Sequence, residues 1–253
     1  MKTYKEQIKA DLNNLGVKEG DCLLVHSSYT AVGKNDKGPA VVIQAILDTI
    51  GTTGTLLMPC FNGGQQYSQA SANKVFEIQH TPSQLGIISE IFRKEFPVRR
   101  SLHPTHSVIG MGPLANEILE GHEKCLVSTG IGTPFDKLKK YKAKIILLGV
   151  THSSNTFLHH IENVLGAPTL SKNKFTMKLI DDKNNLISVE THPHLPGLPR
   201  QYDRLNSELP ESLQKSGTVG KAKTFVIEAS ALFEHLKPLL QNNPLYLIKP
   251  FQI

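Results

Sequence analysis

The stretch best equipped for chemistry lies between residues 153 and 166. Asn155, His159 and Glu162 recur there at helical spacing, opposite an apolar stripe of Phe157, Leu158, Ile161, Val164 and Leu165. On a helix, His159 and Glu162 stand three residues apart, so their side chains can touch. A carboxylate beside an imidazole fixes its tautomer and supports the imidazolium formed once a proton has been taken, which suits general-base work. The same spacing also arises on a solvated helix face with an incidental pair. Ser154 or Asn155 can cap the helix, and Gly166 with Pro168 ends it.

Two other segments carry polar groups in suggestive company. His26-Ser27-Ser28 follows an apolar run and precedes a glycine-containing loop, where hydroxyls and backbone N–H groups can cradle phosphate or pantetheine oxygens. The run from Arg99 to Ser107 gathers Arg100, Ser101, His103, His106 and Ser107, cations and hydroxyls of the kind that hold the phosphates of a nucleotide-bearing cofactor. Either segment reads equally as an ordinary loop. A metal site could be assembled from His103 and His106, from His159 and His160 with Glu162, and from His192 and His194, although no closed signature such as HExxH is present. Cys60 could be a nucleophile paired with a distant histidine. A lone cysteine at a strand end is more often a small core residue.

The elements that must position these groups follow an α/β pattern, short apolar runs alternating with amphipathic stretches. Strands are expected at Cys22–Val25, Thr55–Met58, Ser107–Ile109, Lys144–Val150 and Thr224–Ile227. Helices are expected over Val41–Ile50 behind Pro39, over Pro113–Leu119, from Thr133-Pro134, and from the end of the last strand to about Gln241. Thr81-Pro82-Ser83-Gln84 reads as a capping box that opens a helix with Leu85, Ile88, Ile91 and Phe92 on its buried face. Phe175, Met177 and Leu179 alternate with polar residues ahead of the turn Asp182–Asn185, so a hairpin with Leu186–Val189 is expected, followed by a loop over His192–Arg200. The fold class is therefore a layered, mixed β-sheet flanked by helices. A smaller hairpin-containing C-terminal subdomain completes a single domain over 1–253, with subdomains near 1–166 and 167–253.

Composition narrows the function. The 253 residues are 39% hydrophobic and 20% charged, the balance of a globular soluble protein, with no apolar run near the roughly 20 residues that span a bilayer. The N-terminus reads as a polar helix without a secretory leader, and three scattered cysteines fit a reducing compartment, so a cytoplasmic location with no membrane partner is expected. The net charge of +6 favours an anionic small ligand. No basic run with interleaved aromatics marks a nucleic-acid partner. Self-association into a homo-oligomer is left open.

In order and spacing the segments resemble the aminoglycoside 3-N-acetyltransferase family in its broad sense. The resemblance runs through Leu24–Ser28 with Gly33, Gly54–Pro59 with Phe61, Thr81–Ser83 with Leu85-Gly86, and Arg100-Ser101 with His103-Pro104 and His106-Ser107. It continues through Leu148-Gly149, Asn155-Thr156, Leu158-His159 and Glu162, and ends with Gly217, Val219-Gly220 and Ala222. It implies transfer of an acetyl group from acetyl-CoA, or of another acyl group from its CoA thioester, to a primary amine in a direct ternary complex. His159 would be the general base and Glu162 its carboxylate support. His26, Ser27, Ser28, Thr81, Arg100, Ser101, His103, His106 and Ser107 would hold CoA. On the acceptor side, Asn155, His192, His194, Tyr202 and Asp203 are the candidates. A polycationic aminoglycoside wants an acidic pocket, whereas the region 188–204 sets Glu190 and Asp203 against Arg200 and Arg204. The acceptor is therefore expected to be either an aminoglycoside or a nucleotide-linked amino sugar. A metal-dependent hydrolase and a non-catalytic CoA- or sugar-binding module are the alternatives.

Overall fold

A computed structural model describes residues 2–61 and 74–250. In chain order the strands are β1 (Cys22–Ser27), β2 (Thr55–Pro59), β3 (Val75–Glu77), β4 (Arg99–Arg100), β5 (Val108–Met111), β6 (Lys144–Leu148), β7 (Phe175–Ile180), β8 (Leu186–Thr191), β9 (Gln214–Val219) and β10 (Ala222–Glu228). The helices are α1 (Tyr4–Asn14), α2 (Tyr29–Val32), α3 (Ala40–Ile50), α4 (Ile87–Glu95), α5 (Ala115–Leu119), α6 (Pro134–Lys140), α7 (Phe157–Val164), α8 (Leu205–Glu208) and α9 (Ala229–Asn242).

The unbroken apolar runs of β1, β2 and β6 are buried on both faces, as parallel strands covered by helices must be. They form the parallel centre of the main sheet, whose order is β4-β5-β2-β1-β6-β10-β9, with β4, β5, β9 and β10 antiparallel at the flanks. The two-residue side-chain period then sorts the core. Leu24, Ile145, Leu147, Phe225 and Ile227 point to one side with α6, α7 and α9. Leu23, Val25, Ile146, Leu148 and Val226 point to the other, against α1, α3 and α4. A smaller sheet, β3-β7-β8, pairs the expected hairpin with a short parallel strand from the first half of the chain. Both sheets thus draw strands from either side of residue 166. Among the described residues no helix is long and apolar enough to cross a membrane.

One expected element begins elsewhere. The capping box at Thr81–Gln84 does not form, and α4 starts at Ile87. The Thr81 hydroxyl accepts the Glu77 N–H and the Thr81 N–H donates to the Glu77 carbonyl, so Thr81 is tied back to β3 instead of capping. Ser83 gives its N–H to Glu90 and pairs its hydroxyl with Ser89. Gly86, at φ 120°, then makes the entry turn that a residue with a side chain rarely adopts. In consequence Leu85 leaves the buried stripe of that helix, while Ile88 and Phe92 keep it.

Candidate active site

The site forms where β1 and β2 end, the edge at which open α/β sheets collect ligands. A cavity of about 350 Å³ is lined there by His26 and Ser27 from β1, Pro59 and Phe61 after β2, Leu85, His106, and the segment Ser153–Thr156 leading into α7. His159, one turn into α7, completes its wall.

The helix that carries His159 is set by its neighbours as much as by its own sequence. The Asn155 side-chain carbonyl accepts the Phe157 N–H and satisfies one of the free donors of the first turn. Phe157, Leu158 and Ile161 are buried in the core as expected, and Val164 and Leu165 pack at its margin. The opposite face is covered too. Glu162 is fully buried and Asn155 nearly so.

Around His159 the polar groups converge. Its Nδ1 lies 3.0 Å from the Tyr202 hydroxyl and 3.4 Å from Glu162 Oε2. Arg200 donates from Nε to both Glu162 oxygens, at 3.3 and 3.4 Å, and from a terminal nitrogen at 3.3 Å. Burial alone would raise the Glu162 carboxyl, but the hydrogen bond and charge of His159 and the charge of Arg200 outweigh it, so its pKa falls below the usual carboxylate value. Glu162 is therefore an anion. With Nδ1 engaged, Nε2 is the nitrogen of His159 left for the cavity.

Other histidines frame this one. His194 packs against the His159 ring with centroids 4.7 Å apart, and His106 meets both rings edge-on. His194 Nε2 accepts from the Asn163 amide, which also donates to Thr129 and accepts from Thr169. His26 Nε2 accepts the Thr156 N–H at 3.1 Å, which ties the end of β1 to the start of α7. Burial holds His194 and His106 well below the usual imidazole range, helped by neighbouring histidines, and pushes His26 down to about 3.

The remaining sequence candidates fall in three places. Ser27, His106 and Asn155 line the cavity, and Ser28 gives its N–H to the Leu148 carbonyl beside it. Asp203 accepts the N–H of cavity-lining Ser153 at 3.0 Å and is otherwise exposed at the rim. A second group is committed to the protein's own backbone and loops. The Arg100 guanidinium lies over the Phe76 ring and donates to the carbonyls of Cys60, Ile78 and Thr81 and to the Ser107 hydroxyl. Ser101 bonds His122 and the Val108 N–H, and His103, fully buried, bonds Thr105 and stacks on His122. Ser107 donates to the Cys60 carbonyl. His192 stands apart from the cavity wall, its Nδ1 on the Ser171 carbonyl. Cys60 is fully buried, its thiol pKa raised by burial, which is the setting of a core cysteine. His106, His159 and His194 of the zinc alternative do gather, but among the described residues no three metal-ligating groups are placed to hold an ion.

Sequence reasoning missed the partners that lock the site. Thr156 as the anchor of His26, the Asn163 amide beneath His194, and His122 and Ser128 beneath Ser101 and His106 follow from tertiary contacts that no spacing encodes.

A profile of the aminoglycoside 3-N-acetyltransferase family matches residues 24–241. Among curated relatives, an aminoglycoside N(3)-acetyltransferase IV from a Salmonella species is 30% identical over 97% of this chain and 90% of its own. Another, an aminoglycoside N(3)-acetyltransferase III from Serratia marcescens, is 26% identical over 88% and 92%. Among solved structures, a histidine-to-alanine mutant of aminoglycoside acetyltransferase AAC(3)-IVa in complex with gentamicin superposes with a TM-score of 0.83 at 28% identity, over 97% of this chain and 91% of that one. This chain belongs to the aminoglycoside 3-N-acetyltransferase family.

Proposed function

We propose that the protein transfers the acetyl group of acetyl-CoA to a primary amine of an amino sugar or aminoglycoside, with His159 as general base. The observation that carries this reading is the His159 imidazole, braced at Nδ1 by a phenol and a buried carboxylate, in the wall of the cavity at the strand ends of a family acetyltransferase.

Acetyl-CoA, when bound, supplies the acetyl group as an activated thioester. The cavity suits that end of the molecule: its wall mixes Val25, Pro59, Phe61 and Val150 with the hydroxyls of Ser27 and Ser154, which make no hydrogen bond among the described residues. Those two hydroxyls are the donors available to negative charge developing on the carbonyl oxygen. His159 Nε2 takes the proton released as the acceptor amine attacks, since an ammonium has no lone pair to offer. Glu162 stabilises the imidazolium by charge, and Arg200 keeps the carboxylate ionised and oriented. Asn155, held by Phe157 and His152, together with Asp203 at the rim, is placed to meet acceptor hydroxyls or amines.

Release of the CoA thiol, followed across a panel of aminoglycosides and nucleotide-linked amino sugars, tests the reaction. His159→Ala should keep CoA binding and lose on the order of 100-fold or more in kcat. Wild-type turnover by that variant removes His159 from the mechanism, and no thiol release with any amine rejects the activity.

A further inference from the structure

Tyr202 was expected from sequence on the acceptor side, but its hydroxyl is directed elsewhere. The residue is 3% exposed, and its hydroxyl lies 3.0 Å from His159 Nδ1, closer than Glu162 at 3.4 Å. The same hydroxyl stands beside Glu162, whose carboxylate also meets Nδ1 directly and is anchored from behind by Arg200. Four groups from two distant segments thus meet in one row, the imidazole touching both phenol and carboxylate and the guanidinium backing the carboxylate.

We infer that Tyr202 is a positioning residue that helps fix the reactive tautomer of His159 by sharing its Nδ1 with the Glu162 carboxylate. This rests on the reading of His159 as the base. A phenol has one proton to give and lone pairs to receive another. It can give that proton to Glu162 and accept from Nδ1–H, which leaves the Nε2 lone pair facing the cavity. Or it can donate to Nδ1, which places a hydrogen on Nε2 and leaves nothing there to take a proton. An ionised carboxylate only accepts, and a hydrogen bond to it is roughly twice as strong as one between neutral partners. The first arrangement therefore prevails, and every group in the row is satisfied. Burial raises the Tyr202 hydroxyl well above its usual pKa, so it keeps the proton that the arrangement needs. No charge is lost or gained along the row in the resting state. When His159 takes a proton at Nε2, the Glu162 carboxylate 3.4 Å from Nδ1 supports the cation by charge, without any proton moving to Glu162.

The test is Tyr202→Phe, which keeps the ring and removes the hydroxyl. With the positioning role, kcat falls on the order of 10-fold or more. The KM for acetyl-CoA and for the acceptor holds within about twofold, and the acidic limb of the kcat/KM pH profile moves. Nitrogen-15 NMR of labelled histidine gives a second readout. Wild-type His159 shows a proton on Nδ1 and a bare Nε2, and Tyr202→Phe shows a mixture of tautomers. A raised KM with unchanged kcat would return Tyr202 to the acceptor side and overturn the inference. So would a wild-type pH profile with the wild-type tautomer retained. Should Tyr202→Phe prove too unstable to assay, the wild-type spectrum alone decides, because a proton on Nε2 contradicts the row directly. Failure of the base reading looks different: His159→Ala would then stay active whatever Tyr202→Phe does.

Discussion

Lowering the pH from 7.5 to 5.5 should strip stability from this fold through its buried histidines. Burial pushes His26 and His122 down to about 3 and His160 to about 4, and it holds His103, His106 and His194 well below the usual range. These imidazoles stay neutral in the native state at pH 5.5, whereas in the unfolded chain they protonate around 6.5. The unfolded state therefore binds more protons, and stability falls as pH drops below 6.5. Over this interval His26, His122 and His160 together forfeit about 4 kcal/mol, and His103, His106 and His194 add to the loss in the same direction. Against a typical total of about 5–15 kcal/mol that is a large share. At roughly 2–4 °C per kcal/mol for a chain of this size, the three alone lower Tm by about 8–16 °C. The carboxylates do not blur the result, because they remain ionised above pH 5. Thermal melts at pH 7.5, 6.5 and 5.5, paired with proton uptake on urea unfolding at pH 5.5, check the reasoning. Uptake of several protons and a falling Tm are expected. A flat Tm, or uptake below one proton, would show that these imidazoles are not held neutral by the fold.

Three substitutions probe the supports of the site. Glu162→Ala leaves Arg200 facing no anion in a largely buried position, and calorimetry should record a loss of about 3–5 kcal/mol together with a fall in kcat. Arg100→Met strips donors from the carbonyls of Cys60, Ile78 and Thr81. A loss of about 3 kcal/mol is expected, with faster amide exchange in β3 than in β1. Gly149→Ala asks for a side chain at φ 70°, where a Cβ would stand 2.5 Å from the Ala31 Cβ and 3.1 Å from the Ala222 Cβ. It should cost about 3 kcal/mol or more, read as a lower urea midpoint.

The parallel centre of the sheet was legible because strands buried on both faces must be apolar throughout, and Leu23–Val25, Leu56–Met58 and Ile145–Leu148 are. The His159–Glu162 contact was legible because three residues along a helix fix two side chains as neighbours. What escaped had no such local rule. β9 reads Gln-Lys-Ser-Gly-Thr-Val, too polar to announce itself, and is a strand because β10 offers it an edge. The Thr81 capping box satisfied every local criterion and lost to the bonds that tie Thr81 to β3. Arg100 has the look of a phosphate ligand in sequence, yet its donors are taken up by backbone carbonyls that only the folded chain brings together. Tyr202, too, finds His159 across 43 residues, a distance no periodicity spans.

That separation has a consequence for the order in which the protein becomes competent during synthesis. The helix bearing the imidazole leaves the ribosome well before Arg200 and Tyr202 do, and the strands that close the sheet beside β6 follow later still. A nascent chain halted short of residue 200 holds Glu162 with neither its guanidinium nor the phenol beside it. Turnover should therefore switch on only once the chain beyond residue 200 has emerged, and splitting the chain between α7 and residue 200 should silence it until the two pieces reassemble.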